Sequence, residues 1–362
     1  MPSRNQILSM LAMAAVVVCA PQFAPAAKAA SAFHLEEGTI ADVHRAIRAG
    51  QITAAQLVNL YFKRIEAYNG TCVKGEVDPA TGLMFGEITP VENAGQVNAY
   101  MTLNIRGKRS KTDRADNDPK MLDALETARA QDDYFARTGN FVGPLHGIPI
   151  AVKDNYDTFD MRTTAGAAAD YADDKPPKDA TMVAKLRAAG AIILGKTNLD
   201  EYAPAGIGRS TLGGQTCNPY DTKRITGGSS AGTAAAVAAN LAICGLGTDT
   251  AGSVRYPSSL DALVGLVATQ GLVSRAGIVP LSFSRDRGGP MCRTVEDTAA
   301  VLEVLTGDDP RDVITAVAHS RSPVAYSNYT GRRSLAGKRL GVVRDFMIEA
   351  TIADRENIRI WQ

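Results

Sequence analysis

Two serines stand among glycines and other small residues in the middle of the chain. Ser229 lies in Gly-Gly-Ser-Ser-Ala-Gly (residues 227–232), and Ser253 lies 24 residues later in Gly-Thr-Asp-Thr-Ala-Gly-Ser-Val-Arg (residues 247–255). The residues between them predict an alanine-rich helix followed by a short buried strand. One serine therefore stands where a loop enters a helix and the other just after a strand, two places where backbone N–H groups lack partners. A hydroxyl surrounded by free N–H donors suits acyl transfer, which needs a nucleophile beside an oxyanion hole.

Glycine- and serine-rich hexamers are more often turns or linkers than active sites, and a phosphate-binding loop is a second alternative. No lysine follows the last glycine of this hexamer, so the phosphate-loop interpretation has little support. Upstream, Gly-Ile-Pro-Ile-Ala-Val-Lys-Asp-Asn (residues 147–155) predicts a buried strand with Lys153 at its end. Burial lowers the pKa of a lysine, so Lys153 could be the base that activates a serine. The alternative is a strand-end lysine whose tip reaches solvent.

Together, these motifs resemble the amidase signature family. The resemblance rests on the three motifs, the serine spacing and Gly-Pro-Met-Cys-Arg-Thr-Val-Glu-Asp (residues 289–297), and it covers residues 39–345 in order. It implies an α/β fold, with a mixed β-sheet core covered by helices on both faces. It also implies that Ser253 is the nucleophile, that Ser229 is a bridging serine after a cis peptide bond, and that Lys153 is the base.

The resemblance further implies an oxyanion hole made by backbone N–H groups and a set of supporting residues. The N–H groups are those of Thr250, Ala251, Gly252 and Ser253, and the supporting residues are Gly228, Ser230, Asp249 and Arg255. Many family members have glycine in place of Ala251; a methyl group there removes no N–H. We expect Asp249 and Arg255 to pair and to hold the nucleophile loop, the alternative being an ordinary surface ion pair. No metal and no cofactor are implied.

The expected activity is hydrolysis of a carboxylic amide to an acid plus ammonia or an amine, through a seryl acyl-enzyme. One alternative is an amidotransferase subunit that passes ammonia to an acyl-tRNA, and another is a catalytically inactive remnant that binds ligands. The expected partner is a small-molecule amide or a peptide amide, and a homodimer is left open. With a formal net charge of +1 and no long basic run, nothing in the sequence indicates a nucleic-acid partner.

Residues 1–30 have the features of a secretory signal peptide. Arg4 gives a positive start, residues 7–20 form an apolar core too short to span a membrane, and Ala-Lys-Ala (residues 27–29) forms a small-residue cleavage site. We therefore expect an exported chain, periplasmic or secreted, with cleavage near Ala29 or Ala30 and no membrane span afterwards. An uncleaved anchor is the alternative. Residues 31–362 are expected to form a single amidase signature domain.

Export bears on the cysteines. Four remain after residue 30, and they could form two disulfides: Cys72, Cys217, Cys244 and Cys292. Because Cys244 lies in an apolar run, we expect mostly free, buried thiols. The histidines are scattered, and His146 is expected to be structural rather than part of a Ser-His-Asp triad.

The remaining pattern predicts alternating helices and strands, which is typical of an α/β sheet. Helices are expected in residues 39–68 (two, the second with a capping box at Thr53), 120–137, 180–189 and 294–305, strands at 191–194 and from 337 onward, and loops at 70–98 and 163–178. The loop at 70–98 is a candidate cover for the site. Since related proteins are usually longer, we expect the sheet to lack its C-terminal part.

Overall fold

The computed structural model describes residues 33–169, 175–319, 325–331, 334–349 and 352–361. The expected signal peptide, residues 1–30, lies outside these ranges. The helices are α1 Ile40–Arg48, α2 Ala54–Tyr68, α3 Ala124–Thr138, α4 Thr181–Ala188, α5 Ala231–Ala238, α6 Arg255–Leu260, α7 Val295–Leu305, α8 Thr315–His319 and α9 Ile352–Trp361. The strands are β1 Val73–Val77, β2 Met84–Pro90, β3 Tyr100–Leu103, β4 Pro149–Lys153, β5 Ile192–Thr197, β6 Arg209–Ser210, β7 Gly214–Gln215, β8 Cys217–Asn218, β9 Asp221–Ile225, β10 Cys244–Asp249, β11 Val264–Gly265 and β12 Arg287–Cys292.

The centre of the molecule is a six-stranded mixed sheet with the strand order β11-β12-β10-β4-β5-β3. Its three middle strands, β10, β4 and β5, run parallel, and the strands outside them are antiparallel to their neighbours. Every residue of the three middle strands is buried. Strands buried on both faces require covering layers on both sides, as in other α/β proteins. The expected mixed α/β sheet with helices packed against it is therefore confirmed.

Local sequence signals set the helix starts. Thr53 caps α2, accepting a hydrogen bond from the Gln56 N–H while the Gln56 side chain accepts one from the Thr53 N–H, as the capping-box pattern predicts. Thr294 caps α7 through the Asp297 N–H, also as predicted. The helices expected at residues 120–137 and 180–189 appear as α3 and α4. The described part of residues 163–178 contains neither helix nor strand.

Two sequence expectations about strands were wrong. Residues 70–98 are not simply loop, because β1 and β2 form an antiparallel hairpin with a bulge at Gly75/Glu76. Strand pairing can stabilise such a polar segment without a clear alternation of apolar residues. The strand expected from residue 337 does not form within residues 334–349. Leu340, Val342 and Val343 are exposed there, and no neighbouring strand supplies the hydrogen bonds that a strand needs.

The expectation of free thiols was also wrong. The structure has two disulfides, Cys72–Cys217 and Cys244–Cys292. The second joins β10 to β12, where the antiparallel register places the two cysteines directly opposite each other, with their Cα atoms 4.4 Å apart. Burial was predicted correctly for Cys244, which is fully buried. The pairing depends on strand register and on a sequence separation of 145 residues in the first bridge, and neither is visible in the local sequence.

In the part of the chain that the structure describes, no helix combines the length and apolar character that a membrane crossing requires.

Candidate active site

The site forms where two neighbouring parallel strands end. Strand β4 ends at Lys153, and β10, which pairs with it through Leu246 and Val152, continues to Asp249. The carboxyl ends of parallel strands meet at one edge of a sheet, where ligand sites of α/β proteins commonly lie. Helix α5, which packs on β10 and β4, starts at this edge directly after Ser229 and Ser230. The fold thus brings together three segments that are far apart in the sequence.

Lys153 is fully buried and faces two hydroxyl groups. Its Nζ lies 2.7 Å from Ser229 Oγ and 2.8 Å from Thr248 Oγ1, both within hydrogen-bond distance. Burial lowers the pKa of Lys153 to about 7, and the negative charges of nearby aspartates only partly oppose this effect. The solvent-exposed alternative for Lys153 is thereby excluded. A substantial share of the amine is neutral near pH 7 and can accept a proton from Ser229.

The glycine before Ser229 leaves no room for a side chain. The Gly228–Ser229 peptide bond is cis, as the resemblance implied. A Cβ atom at Gly228 would lie 2.0 Å from a carboxylate oxygen of Asp200. Asp200 is itself fixed, because its carboxylate accepts hydrogen bonds from the N–H groups of Ile207 and Gly208. The glycine is therefore required by the close approach of Asp200 to the serine loop.

Ser230 connects the two serine segments. Its hydroxyl donates to the Thr248 carbonyl and accepts from the Thr248 N–H, both at 3.2 Å, which ties the start of α5 to β10. Its own N–H donates to the Ser253 carbonyl at 3.2 Å. Ser230 is fully buried and its hydroxyl is occupied. Although residues 228–232 also match the Gly-x-Ser-x-Gly pattern around Ser230, this serine is a structural tie and not an exposed nucleophile.

Asp249 organises the loop that carries Ser253. Its carboxylate accepts hydrogen bonds from the N–H groups of Gly252 and Val254 and from the Arg255 guanidinium. Burial tends to raise the pKa of Asp249, but the hydrogen bonds from Arg255 and Val254 outweigh it, so the pKa is lowered and the carboxyl stays ionised. The predicted Asp249–Arg255 pair is present, with Asp249 fully buried and Arg255 exposed. It holds the loop from inside, unlike an ordinary surface ion pair.

A cavity of about 210 Å³ opens beside Ser253. Its wall includes all four residues of the predicted oxyanion hole, together with the 203–206 loop, Tyr256 and Leu281. Ser253 is partly exposed in this cavity. The amides of Thr250, Ala251 and Ser253 donate to no protein acceptor in the described ranges, whereas the Gly252 N–H is already engaged by Asp249. The cavity therefore offers a hydroxyl and free N–H donors to the same small space.

Sequence reasoning missed three residues that shape this site. Thr248 contacts the Lys153 amine, Asp200 supports the serine loop, and Asp286 accepts a hydrogen bond from the Thr250 hydroxyl. Asp286 also accepts from the N–H groups of Leu281 and Ser282, so it positions one wall of the cavity. Both aspartates lie in polar loops that look solvent-exposed in the sequence. Only their burial distinguishes them from ordinary surface carboxylates.

Two other sequence features have structural explanations. Residues 190–197 match the letters of a phosphate-binding loop, Gly-x-x-x-x-Gly-Lys-Thr, but the match runs through the buried strand β5. A strand cannot cradle phosphates, and its Lys196 pairs with Asp154 at 3.1 Å. His146 stacks on Phe141 at 4.6 Å and accepts a hydrogen bond from the Val142 N–H before β4 begins. It is structural, as expected, and stands at the opposite end of β4 from Lys153.

Comparison with known proteins identifies the family. The sequence profile of the Amidase family matches residues 114–359, which is more than half of the chain. The chain belongs to the amidase family. Curated proteins similar to this amidase include a glutamyl-tRNA(Gln) amidotransferase subunit from Symbiobacterium thermophilum, 47% identical over 62% of the chain and 45% of the relative. The corresponding subunit from Thioalkalivibrio sulfidiphilus is 36% identical over 87% of the chain and 55% of the relative.

Solved structures agree with the family assignment. The peptide amidase of Stenotrophomonas maltophilia matches the amidase chain with a TM-score of 0.67 and 37% identity, over 82% of the chain and 53% of the peptide amidase. An amidase family protein from Bacillus anthracis matches with a TM-score of 0.64 and 30% identity, over 81% of the chain and 51% of that protein. The chain thus spans about half the length of the relatives it matches.

Proposed function

We propose that the protein hydrolyses carboxylic amides through a seryl acyl-enzyme, with Ser253 as nucleophile, Ser229 as proton relay and Lys153 as base. The observation that carries this proposal is the buried Lys153 amine, 2.7 Å from Ser229 Oγ and with a pKa of about 7. A serine hydroxyl is a weak nucleophile until a base takes its proton. A buried neutral lysine can take that proton without the help of histidine.

The reaction follows from these positions. Ser253 Oγ bonds to the amide carbon while its proton passes to Ser229 Oγ, and the Ser229 proton passes to Lys153 Nζ. When the tetrahedral intermediate collapses, the carbon–nitrogen bond breaks and the proton returns through Ser229 to the leaving nitrogen. Water then attacks the acyl-enzyme by the same relay, which releases the acid and restores Ser253.

The oxyanion is assigned to three amides instead of four. The N–H groups of Thr250, Ala251 and Ser253 line the cavity without a protein acceptor in the described ranges, whereas Gly252 donates to Asp249 at 3.0 Å. We therefore remove Gly252 from the donor set. Each well-placed donor is worth about 3 kcal/mol of transition-state stabilisation in other acyl transferases.

Labelling with a fluorophosphonate tests the activated serine directly. We expect the purified protein to take up one equivalent of the reagent, since only a serine with a working base reacts. Intact mass gives the stoichiometry, and peptide mapping should place the adduct on Ser253. An adduct on another residue would overturn the assignment. A soluble, folded protein that remains unlabelled would favour the inactive-remnant alternative.

The amidotransferase alternative is supported by the names of the curated relatives, which are glutamyl-tRNA(Gln) amidotransferase subunits. The peptide amidase match and the expected export both favour stand-alone hydrolysis, because tRNA is cytoplasmic. The two functions differ in substrate. An amidotransferase subunit should release ammonia from glutamine, whereas the proposed hydrolase should prefer amides of other acids.

We also propose that the protein is exported. The composition of residues 1–30 supports this, and so do the two disulfides, because disulfides persist mainly in oxidising compartments. Mass spectrometry of the protein from fractionated cells should find a mature N-terminus near Ala30 and no free thiols before reduction. An uncleaved cytoplasmic chain with reactive thiols at Cys72 and Cys217 would contradict the proposal.

A further inference from the structure

A second cavity lies next to the one beside Ser253. It has a volume of about 370 Å³ and is lined by the β1–β2 hairpin on one side and by residues 200–211 on the other. Ala205 lines both cavities, so the two spaces share a wall. The smaller cavity, at about 210 Å³, has the volume of about seven liquid waters, which suits one small amino-acid amide. A longer acyl group has to leave it, and the second cavity is the adjoining space.

The second cavity combines apolar flanks with a polar floor. Phe85 on the hairpin and Ile207 on the opposite loop are about half exposed, at 46% and 50%. The Glu201 carboxylate lies in the floor and accepts a hydrogen bond from the Thr211 N–H. A long alkyl chain would cover this carboxylate without offering it a hydrogen bond, which is unfavourable. A peptide can place a side chain between the apolar flanks and keep its polar backbone satisfied.

The hairpin is attached to the body mainly through the Cys72–Cys217 disulfide. Cys72, Val73 and Cys217 form a small apolar cluster of their own, separate from the main core. Cys72 directly precedes β1, and Cys217 begins β8. One further tie is a hydrogen bond from the Arg209 guanidinium to the Gly86 carbonyl. The position of Phe85 therefore depends on a bridge that the main core does not reinforce.

We propose that the two cavities form one cleft for peptide amides, in which the hairpin anchored by Cys72–Cys217 binds the peptide upstream of the reacting carboxamide. This inference rests on the proposed function. The carboxamide lies at Ser253, the chain passes Ala205, and an apolar side chain two residues upstream packs between Phe85 and Ile207. A residue in extended conformation advances the chain by about 3.3 to 3.6 Å, so two residues suffice to cross into the second cavity. Phe85 and the disulfide thus set a preference for longer substrates.

The first test compares two substrates, N-acetyl-alanine amide and N-acetyl-leucyl-alanyl-alanine amide. We expect the wild type to have the higher kcat/KM for the longer amide. Phe85→Ala should lower the ratio of the two kcat/KM values about tenfold, which is typical for loss of an apolar contact. The matched control is Val77→Ala, which alters an exposed side chain of the same hairpin outside the cavity, and it should leave the ratio unchanged. An unchanged ratio in Phe85→Ala would overturn the proposal.

A binding measurement separates this proposal from the proposed function. Fluorescence polarisation with a labelled leucyl-alanyl-alanine amide gives a Kd in the Ser253→Ala background, where turnover cannot interfere. We expect Phe85→Ala to raise this Kd about tenfold. If neither amide is hydrolysed but the Kd shifts as expected, the cleft stands and the hydrolytic function fails. If both amides are hydrolysed and the Kd does not shift, the cleft fails alone.

The disulfide is tested by the double variant Cys72→Ser/Cys217→Ser. We expect the same selective loss on the longer amide, because the hairpin loses its anchor. Circular dichroism checks the fold, and the short amide reports on the catalytic residues in the same sample. Equal losses on both amides would show a general structural role and contradict a specific role in peptide binding. Should the double variant fail to fold, Phe85→Ala carries the test.

Discussion

Replacing Ser253 with alanine should lower kcat/KM for amide hydrolysis by about 10⁴-fold or more, as loss of the nucleophile does in other serine enzymes. The variant keeps the cavity, Lys153 and the free amides, but no oxygen remains to form the acyl-enzyme. Ammonia release from the N-acetylated amides gives the rate. The fold should be retained, because the Ser253 side chain is partly exposed and its backbone carbonyl still accepts from the Ser230 N–H.

The matched control for this prediction is Ser259→Ala. Ser259 lies in α6, six residues after Ser253, and is exposed. Its replacement should leave kcat/KM within about twofold, as for most surface substitutions. Turnover by purified Ser253→Ala at the wild-type rate would show that another residue is the nucleophile. An equal loss in both variants would indicate damage to α6 rather than to the chemistry.

Lys153→Met should lower kcat/KM by about 10³-fold or more, because Met keeps much of the side-chain volume but cannot accept a proton. The wild type should also show a characteristic pH profile. The active form is the neutral amine, and burial lowers the pKa of Lys153 to about 7. Wild-type kcat/KM should therefore rise tenfold per pH unit well below pH 7 and level off above it. The residual activity of Lys153→Met should lack this rise.

Lys185 provides the control for the pH profile. It is another lysine whose pKa is lowered, chiefly by burial, and its amine donates to the Thr306 carbonyl, near the end of α7. Lys185→Met should keep the rise with its midpoint near pH 7. If Lys185→Met loses the rise, or if Lys153→Met retains it, the titrating group is not Lys153.

Features encoded by neighbouring residues could be predicted from the sequence. The caps at Thr53 and Thr294 need only residues within one helical turn, and both were correct. Burial of the strand before Lys153 follows from its run of apolar residues, and this burial is also the cause of the lowered pKa. The family motifs therefore indicated which segments meet at the strand ends.

Features that depend on distant partners could not be predicted. Asp200 and Asp286 belong to the site only because the fold buries them beside Gly228 and Thr250. The disulfides are a similar case, since local hydrophobicity reveals that a cysteine is buried but not what faces it. One signal was available: an even number of cysteines in a chain expected to be exported is typical of complete pairing. The apolar surroundings of Cys244 were given more weight than that count.

The two disulfides also determine what happens when the backbone is cut. Cys72–Cys217 closes a stretch that contains Lys153, and Cys244–Cys292 closes a stretch that contains Ser253. A protease that nicks either stretch once, for example at the exposed tip of the β1–β2 hairpin, releases no fragment. The base and both serines then remain in one covalently connected molecule. An extracellular enzyme built in this way can survive a nick that would separate its catalytic residues if its cysteines were reduced.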